Sequence, residues 1–178
     1  MMSDLLLLLP VVLAALVLLA LRGGRRRKPT VRTRPGWRPR PEEGPPANAI
    51  VVDGSNVLHW GGEPSGKVLN HVLHTIEAAG LAPIVIFDAN VGYVLADHFM
   101  NETALSRLTG VPAKHIHVVH KGTVADEVIL GFAEHHGLRV VSNDQYRDWR
   151  VQFPFIAQKG RALRGSYRDG AVVWRGTL

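Results

Sequence analysis

The sequence predicts an α/β fold: a parallel central sheet with helices on both faces, a C-terminal β-hairpin and an N-terminal single transmembrane helix. Three observations predict it. From residue 48 onward, short β-branched runs alternate with segments of helical period, which is how parallel strands joined by crossover helices read. Asp169-Gly170 stands between two short runs, as a hairpin turn requires. Residues 5–21 are a 17-residue apolar run interrupted only by Pro10.

The apolar run lies at the short end of what spans a bilayer. A secretory signal would carry positive charge before its apolar core and a small-residue cleavage site after it. Here Asp4 precedes the run, and Arg22, Arg25, Arg26, Arg27 and Lys28 follow it. The positive-inside rule then puts the N-terminus outside and everything after Arg22 in the cytoplasm. Residues 1–21 therefore read as an uncleaved anchor, and the protein as single-pass. Residues 22–47 hold six prolines between 29 and 46 among basic and glycine positions. Such a segment cannot bury enough apolar area to fold, and reads as a disordered tether. Its charges suit anionic lipid headgroups, with nucleic acid as the alternative.

Residues 48–178 form the folded domain. Residues 49–52 are a β-branched run that reads as a buried strand. Residues 68–79 place Val68, Val72, Leu73 and Ile76 at helical spacing and end at Gly80, a C-cap residue. Residues 83–87 are a second strand. Residues 93–108 read as one helix, with Leu95, Phe99 and Leu105 among its apolar positions. Residues 115–119 are a third strand. Residues 123–134 are helical, with Val128, Ile129 and Phe132 apolar, and close at Gly137. Residues 139–141 are a fourth strand. Residues 162–166 and 171–175 flank the Asp-Gly turn and read as a basic hairpin appended to the sheet.

About 130 residues beyond the tether are enough for one hydrophobic core. With no cysteine in the chain, disulfides and thiolate metal sites are excluded. The net charge of +6 is unevenly spread. Residues 22–48 carry a net +7, whereas residues 49–178 hold twelve residues of each sign. Within that domain, residues 49–146 are net −5 and residues 147–178 net +5. An acidic centre with a basic flank suits a site that holds a cation and a polyanion together. Chance imbalance in a small domain is the plainer alternative.

The acids are not scattered. Asp53 follows the first strand and opens Asp53-Gly54-Ser55-Asn56. Asp126 and Glu127 begin a helix. Asp144 follows the fourth strand, and Asp148 lies four residues on, so a helix starting near Asp144 would put both on one face. Each alone reads equally well as a helix cap or a first-turn acid. Together they sit at strand ends or at the starts of the following helices, which converge on one crevice in an open parallel sheet. Carboxylates so gathered call for a hard cation, Mg²⁺ or Mn²⁺. Asp88 ends a strand too, and either lines that crevice or starts a turn with Asn90.

Lys121, Arg147, Arg150 and Arg164, with Ser55 and Asn143, are candidate phosphate or substrate contacts, and Arg161 and Arg168 extend the basic set. Trp149 and Tyr167 are candidate stacking partners for bases. Any one of the basic residues alone reads as a surface charge. His71 with His74, and His115 with His117, invite a zinc reading, but no third ligand has suitable spacing.

The segments IVVDGSN and VVSNDQYRDW resemble the NYN branch of the PIN-like nucleases, in particular its Regnase-type ribonuclease domain, over residues 49–149. The resemblance implies a parallel α/β sandwich and metal-dependent, endonucleolytic cleavage of RNA leaving 5′-phosphate and 3′-hydroxyl ends. It implies that Asp53, Asp126, Asp144 and Asp148 occupy the acidic, metal-holding positions, with Asn56 supporting Asp53. The middle motif of such domains often has two adjacent Asp. Here the second is Glu127, which therefore ranks below the others. The FDAN stretch at Asp88 lacks the second Asp that a haloacid-dehalogenase nucleophile motif needs, since Asn90 stands there.

The expected function is thus a membrane-anchored ribonuclease, with RNA and membrane lipid as partners and a homo-oligomer compatible with the same reading. The rival is a non-catalytic, membrane-tethered RNA-binding or scaffolding module on the same fold.

Overall fold

Strand β1 (Ala49–Asp53) is buried at every position, so its sequence has no polar alternation to show. A strand covered on both faces needs an unbroken apolar run, and AIVVD supplies one up to its last residue. In the computed structural model of the chain, residues 44–178 are described. The expected anchor at 1–21 and most of the tether at 22–47 lie outside the described residues. No helix among the described residues is long and apolar enough to cross a membrane.

The two faces of β1 feed two cores. Ile50 and Val52 pack with Leu69, Val72 and Ile76 of helix α2 (Gly66–Ala78). Ala49 and Val51 pack with Ile129, Leu130 and Ala133 of helix α5 (Ala125–His136). The same alternation runs along β2 (Ala82–Phe87), where Val85 and Phe87 join the first core and Ile84 and Ile86 the second. Helices therefore cover both faces, and each fully buried aliphatic side chain contributes roughly 2 kcal/mol.

Five strands make the main sheet in the order β3-β2-β1-β4-β5, with every pairing parallel. β3 is Ile116–Val118, β4 is Val140–Val141 and β5 is Ala162–Leu163. From β1 the chain builds outward through β2 to β3. It then crosses back through α5 to place β4 on the other side of β1. The strand order reverses at that point, and ligand crevices open beyond the C-terminal ends of strands at such reversals.

The structure corrects three expectations. The single helix expected at 93–108 is two: α3 (Val91–Ala96) and α4 (Glu102–Thr109). Asp97 ends α3 in a left-handed conformation, φ 56°, and the Asn101 side chain caps α4 by accepting from Ala104 N–H. A cap inside an apparently continuous period overrides the period. The hairpin is β6 (Gly165–Arg168) with β7 (Ala171–Trp174), a separate two-stranded sheet rather than an extension of the main one. Residues 162 and 163, expected in the hairpin, are β5 of the main sheet. The hairpin is docked instead through Tyr167 N–H to Trp60 O at 3.0 Å and a Trp60–Trp174 edge contact. Finally, no helix starts at Asp144. Tyr146 is left-handed, φ 46°, and only a 3₁₀ turn, Arg147–Trp149, follows.

Candidate active site

Asp53 is the last residue of β1 and also caps the short helix α1 (Gly54–Val57). Its Oδ1 accepts from Asn56 N–H at 3.0 Å. Its Oδ2 accepts from the Ser142 hydroxyl at 2.9 Å and the Tyr146 hydroxyl at 3.0 Å. Asp53 is 6% exposed. Burial pushes its pKa up to about 6; these hydrogen bonds oppose the rise and the nearby Asp126 adds to it. Gly54 is required here by a close approach, not by an unusual backbone angle: a Cβ at this position would overlap the Phe87 ring.

The neighbouring side chains lock this end of β1 to β4 and the hairpin. Asn56 Oδ1 accepts from Trp60 Nε1 at 3.1 Å and from Asn143 N–H at 2.9 Å. Two donors on that oxygen fix the amide's orientation, so its Nδ2 is the group it can offer a ligand. The Asn143 side chain donates to Gly165 O at 2.8 Å and accepts from Gly165 N–H at 3.2 Å. It thus ties the end of β4 to the hairpin, and both ends of its amide are committed. The Ser55 hydroxyl accepts from Asp88 N–H at 2.9 Å, which joins the ends of β1 and β2.

Asp126 lies in the first turn of α5 and accepts from Trp149 Nε1 at 3.1 Å. Burial raises its pKa, and the negative charges of Asp144 and then Asp88 raise it further, against the Trp149 bond. Asp144 holds the turn after β4: its backbone N–H donates to Ser142 Oγ at 3.0 Å, and its Oδ1 accepts from Tyr146 N–H at 2.6 Å.

A cavity of about 290 Å³ at these strand ends is lined by Asp53, Asp88, Asp126, Asp144, Ser55 and Asn56. His59 and Asn90, which sequence reading did not single out, line it as well. The structure thus brings together three of the four acids named first, from β1, α5 and the turn after β4, and adds Asp88. Asp148 and Glu127 do not line the cavity. Asp148 sits exposed in the 3₁₀ turn, because the helix that would have stacked it over Asp144 is absent.

Among the described residues no group of three or more His, Cys, Asp or Glu side chains is arranged to hold a metal ion by itself. His115 precedes β3 rather than sharing its face with His117, and His71 Nδ1 is hydrogen-bonded to the Tyr167 hydroxyl at 2.6 Å. Of the substrate candidates, Arg147 Nε donates to Gln145 Oε1 and Arg150 to Gln145 O, both on the exposed turn. Lys121 lines a separate cavity, and Arg164 lies half-buried between β5 and β6. Trp149 and Tyr167, named as base-stacking partners, are engaged within the molecule. Tyr146 and Ser142, the buried partners of Asp53, were missed. The one available signal was a tyrosine and a serine flanking an acid after an apolar strand.

A family model described as Zc3h12a-like ribonuclease NYN domain matches residues 46–169. Among solved structures, the chain is similar to nuclear proteinaceous RNase P 2 (PRORP2) from A. thaliana, with TM-score 0.55 and 17% sequence identity, covering 72% of this chain and 29% of that one. A second structure, of Arabidopsis thaliana nuclear protein-only RNase P 2, gives TM-score 0.53 and 17% identity over 76% and 30% of the two chains. At that identity the likeness is one of fold, and the chain spans under a third of the length of those proteins. No curated protein matches the chain.

Proposed function

The chain belongs to the Zc3h12a-like ribonuclease NYN domain family, and from that premise we propose that it is a membrane-anchored, metal-dependent endoribonuclease. The family makes it a nuclease acting on RNA. The finer reading is carried by one observation: acids from β1, the end of β2, α5 and the turn after β4 share one crevice, where burial and then the charges of Asp144 and Asp88 raise the pKa of Asp126.

Carboxylates that repel one another in a half-buried crevice are matched by a hard cation, and the donor set, oxygen throughout, fits Mg²⁺ or Mn²⁺. Mg²⁺ keeps several waters and takes only one or two carboxylates directly, so part of the set would act through water. Asp53, Asp126 and Asp144 are the residues that would hold the ion, with Asp88 lining the same crevice where Asp148 was expected. When bound, such an ion lowers the pKa of a water that attacks phosphorus and neutralises charge building on the phosphate oxygens.

The chain's own groups position the rest. Ser142 and Tyr146 fix the Asp53 carboxylate from behind, so its negative end is set before any ligand arrives. Trp149 orients Asp126 in the same way. Asn56, with its oxygen occupied, presents an amide N–H that can donate to a phosphate oxygen. Membrane attachment is carried by residues 5–21 and the basic cluster after them, which place the domain in the cytoplasm.

The test is direct. The full-length chain in detergent micelles is incubated with end-labelled single-stranded RNA and Mn²⁺ or Mg²⁺. Cleavage is expected, with loss in EDTA and in Asp126→Asn and Asp144→Asn. RNA bound but uncut across varied sequences would establish the non-catalytic alternative. Equal cleavage by both variants would remove the site assignment. A reporter fused after Leu178 that is active only outside the cytoplasm would overturn the orientation.

A further inference from the structure

A second cavity, of about 580 Å³, opens beside the acidic crevice, and Asn90 lines both. Its walls come from the split helix that sequence reading missed. Tyr93 of α3 and Phe99 of the turn after it both line the cavity, and they are 58% and 63% exposed. Large aromatic side chains left open at one concave site are unusual for a folded surface and mark a place where something docks. The turn that carries Phe99 is built in rather than loose. A Cβ at Gly92 would overlap the backbone of His98 and Met100, so residues 98–100 fold tightly against α3.

The lining also has a polar part. His120 and Lys121, which follow β3, line the cavity and are exposed. The acid among the lining residues, Glu102, has its carboxylate turned to the backbone N–H of Val118 at 3.4 Å. The lining therefore offers aromatic rings and a positive charge, and it shares Asn90 with the acidic crevice. A single nucleic-acid strand has the matching parts: flat apolar bases, and a phosphate every nucleotide.

We propose that this groove is a substrate subsite: Tyr93 and Phe99 stack unpaired bases next to the scissile phosphate, and Lys121 contacts a phosphate of the same segment. The inference rests on the ribonuclease reading for its substrate, and extends it to residues outside the acidic site. It places the bound strand over the β2–β3 edge of the sheet, not only along the C-terminal basic flank. Base-paired RNA cannot insert its bases into such a groove, so the subsite selects single-stranded segments at this position.

The experiment measures binding apart from cleavage. Full-length protein carrying Asp126→Asn is titrated with RNA oligonucleotides containing 2-aminopurine at successive positions, without added divalent cation. At one or two positions the fluorescence is expected to change on binding. Adding Phe99→Ala should abolish that change and weaken binding roughly tenfold, with Tyr93→Ala acting in the same direction. Phe99→Trp should restore both. Lys121→Ala should lower the salt slope of log K by about one. In the cleavage-competent protein, Phe99→Ala should raise KM more than it lowers kcat.

Unaltered affinity and fluorescence in both Phe99→Ala and Tyr93→Ala would overturn the subsite. So would a variant that abolishes self-association of the chain while leaving RNA binding intact, since the groove would then belong to a second copy. The two readings fail separately. Cleavage with unchanged KM in both variants removes the subsite and keeps the ribonuclease. Phe99-dependent binding by a wild-type chain that never cuts RNA keeps the subsite and removes the ribonuclease.

Discussion

The two flanks of the crevice are built in opposite ways. On the β4 flank, polar side chains are tied to one another: Tyr146 and Ser142 to Asp53, Asn143 to Gly165, Trp149 to Asp126. On the β2–β3 flank, Tyr93 and Phe99 stand open to solvent. The first flank holds acids whose charges repel, and repulsion must be met by fixed geometry. The second contributes a single acid, Asp88, to the crevice and leaves apolar surface open for a ligand. A site that brings anionic substrate to anionic side chains needs both kinds of wall.

The comparison breaks most sharply at Asp126. Asp126→Asn keeps the acceptor for Trp149 but removes the charge that Asp144 and Asp88 act on. Cleavage is expected to fall roughly 100- to 1,000-fold in a metal-dependent assay, with the unfolding midpoint unchanged or raised. A fall below about fivefold would move the chemistry elsewhere in the crevice.

Next comes the pH dependence of stability. The folded pKa of Asp53, about 6, lies above the unfolded 3.8, so the folded state holds its proton more tightly. Wild-type stability from this group is therefore greatest below about pH 4, declines as pH rises toward 6, and is level above that. Relative to Asp53→Asn, the wild type should lose up to about 3 kcal/mol between pH 4 and 7, read by urea denaturation in EDTA. Taking the difference cancels the histidines, of which His115, His117 and His136 are shifted down by burial and act in the opposite sense. A wild type that gains on the variant as pH rises would contradict the buried, desolvated carboxyl.

A smaller effect is expected at Tyr146, which is 1% exposed. Tyr146→Phe removes one hydroxyl donor from Asp53 and leaves the ring's packing intact. It should cost about 1–2 kcal/mol of stability and lower cleavage by roughly tenfold through misplacement of Asp53. Asn143→Ala should cost about 1 kcal/mol and loosen the hairpin, seen as faster amide exchange at Gly165 and Tyr167. Arg147→Ala lies outside both flanks. Its stability should stay within about 0.5 kcal/mol of wild type, and a larger change would extend the ordered flank to the exposed turn.

Much of this organisation was readable in the sequence. Runs such as AIVVD and APIVIF were recognisable as buried strands because both faces are covered and nothing polar interrupts them. Gly137 closes α5 in the left-handed conformation that its position after the period predicted. Asp53, Asp126 and Asp144 were legible because each follows an apolar strand or opens a helix. Asp148 was misplaced since its partner helix was inferred from spacing alone. The left-handed Tyr146, its side chain drawn inward to Asp53, prevents that helix from starting. Residues 93–108 were misread because Leu95, Phe99 and Leu105 fit a single period, while the Asn101 cap that divides them is a weak local signal. Ala162 and Leu163 were read into the hairpin because the Asp169-Gly170 turn sets its frame; they form β5 of the main sheet instead because β4 presents an open edge.

By itself the sequence determined the alternation of strands and helices, the helix ends at Gly80 and Gly137, the Asp169-Gly170 turn, the family, and the list of acids at strand ends. Each depends on neighbours a few residues apart, or on a motif that survives as a string. Only the tertiary structure decided which acids meet, because that follows from the strand order β3-β2-β1-β4-β5. The crossover through α5 carries Asp126 and Asp144 back beside Asp53, across 73 and 91 positions of chain. It also decided that Trp149 and Tyr167 face inward while Tyr93 and Phe99 face out, since burial is a property of what packs against a residue and not of the residue.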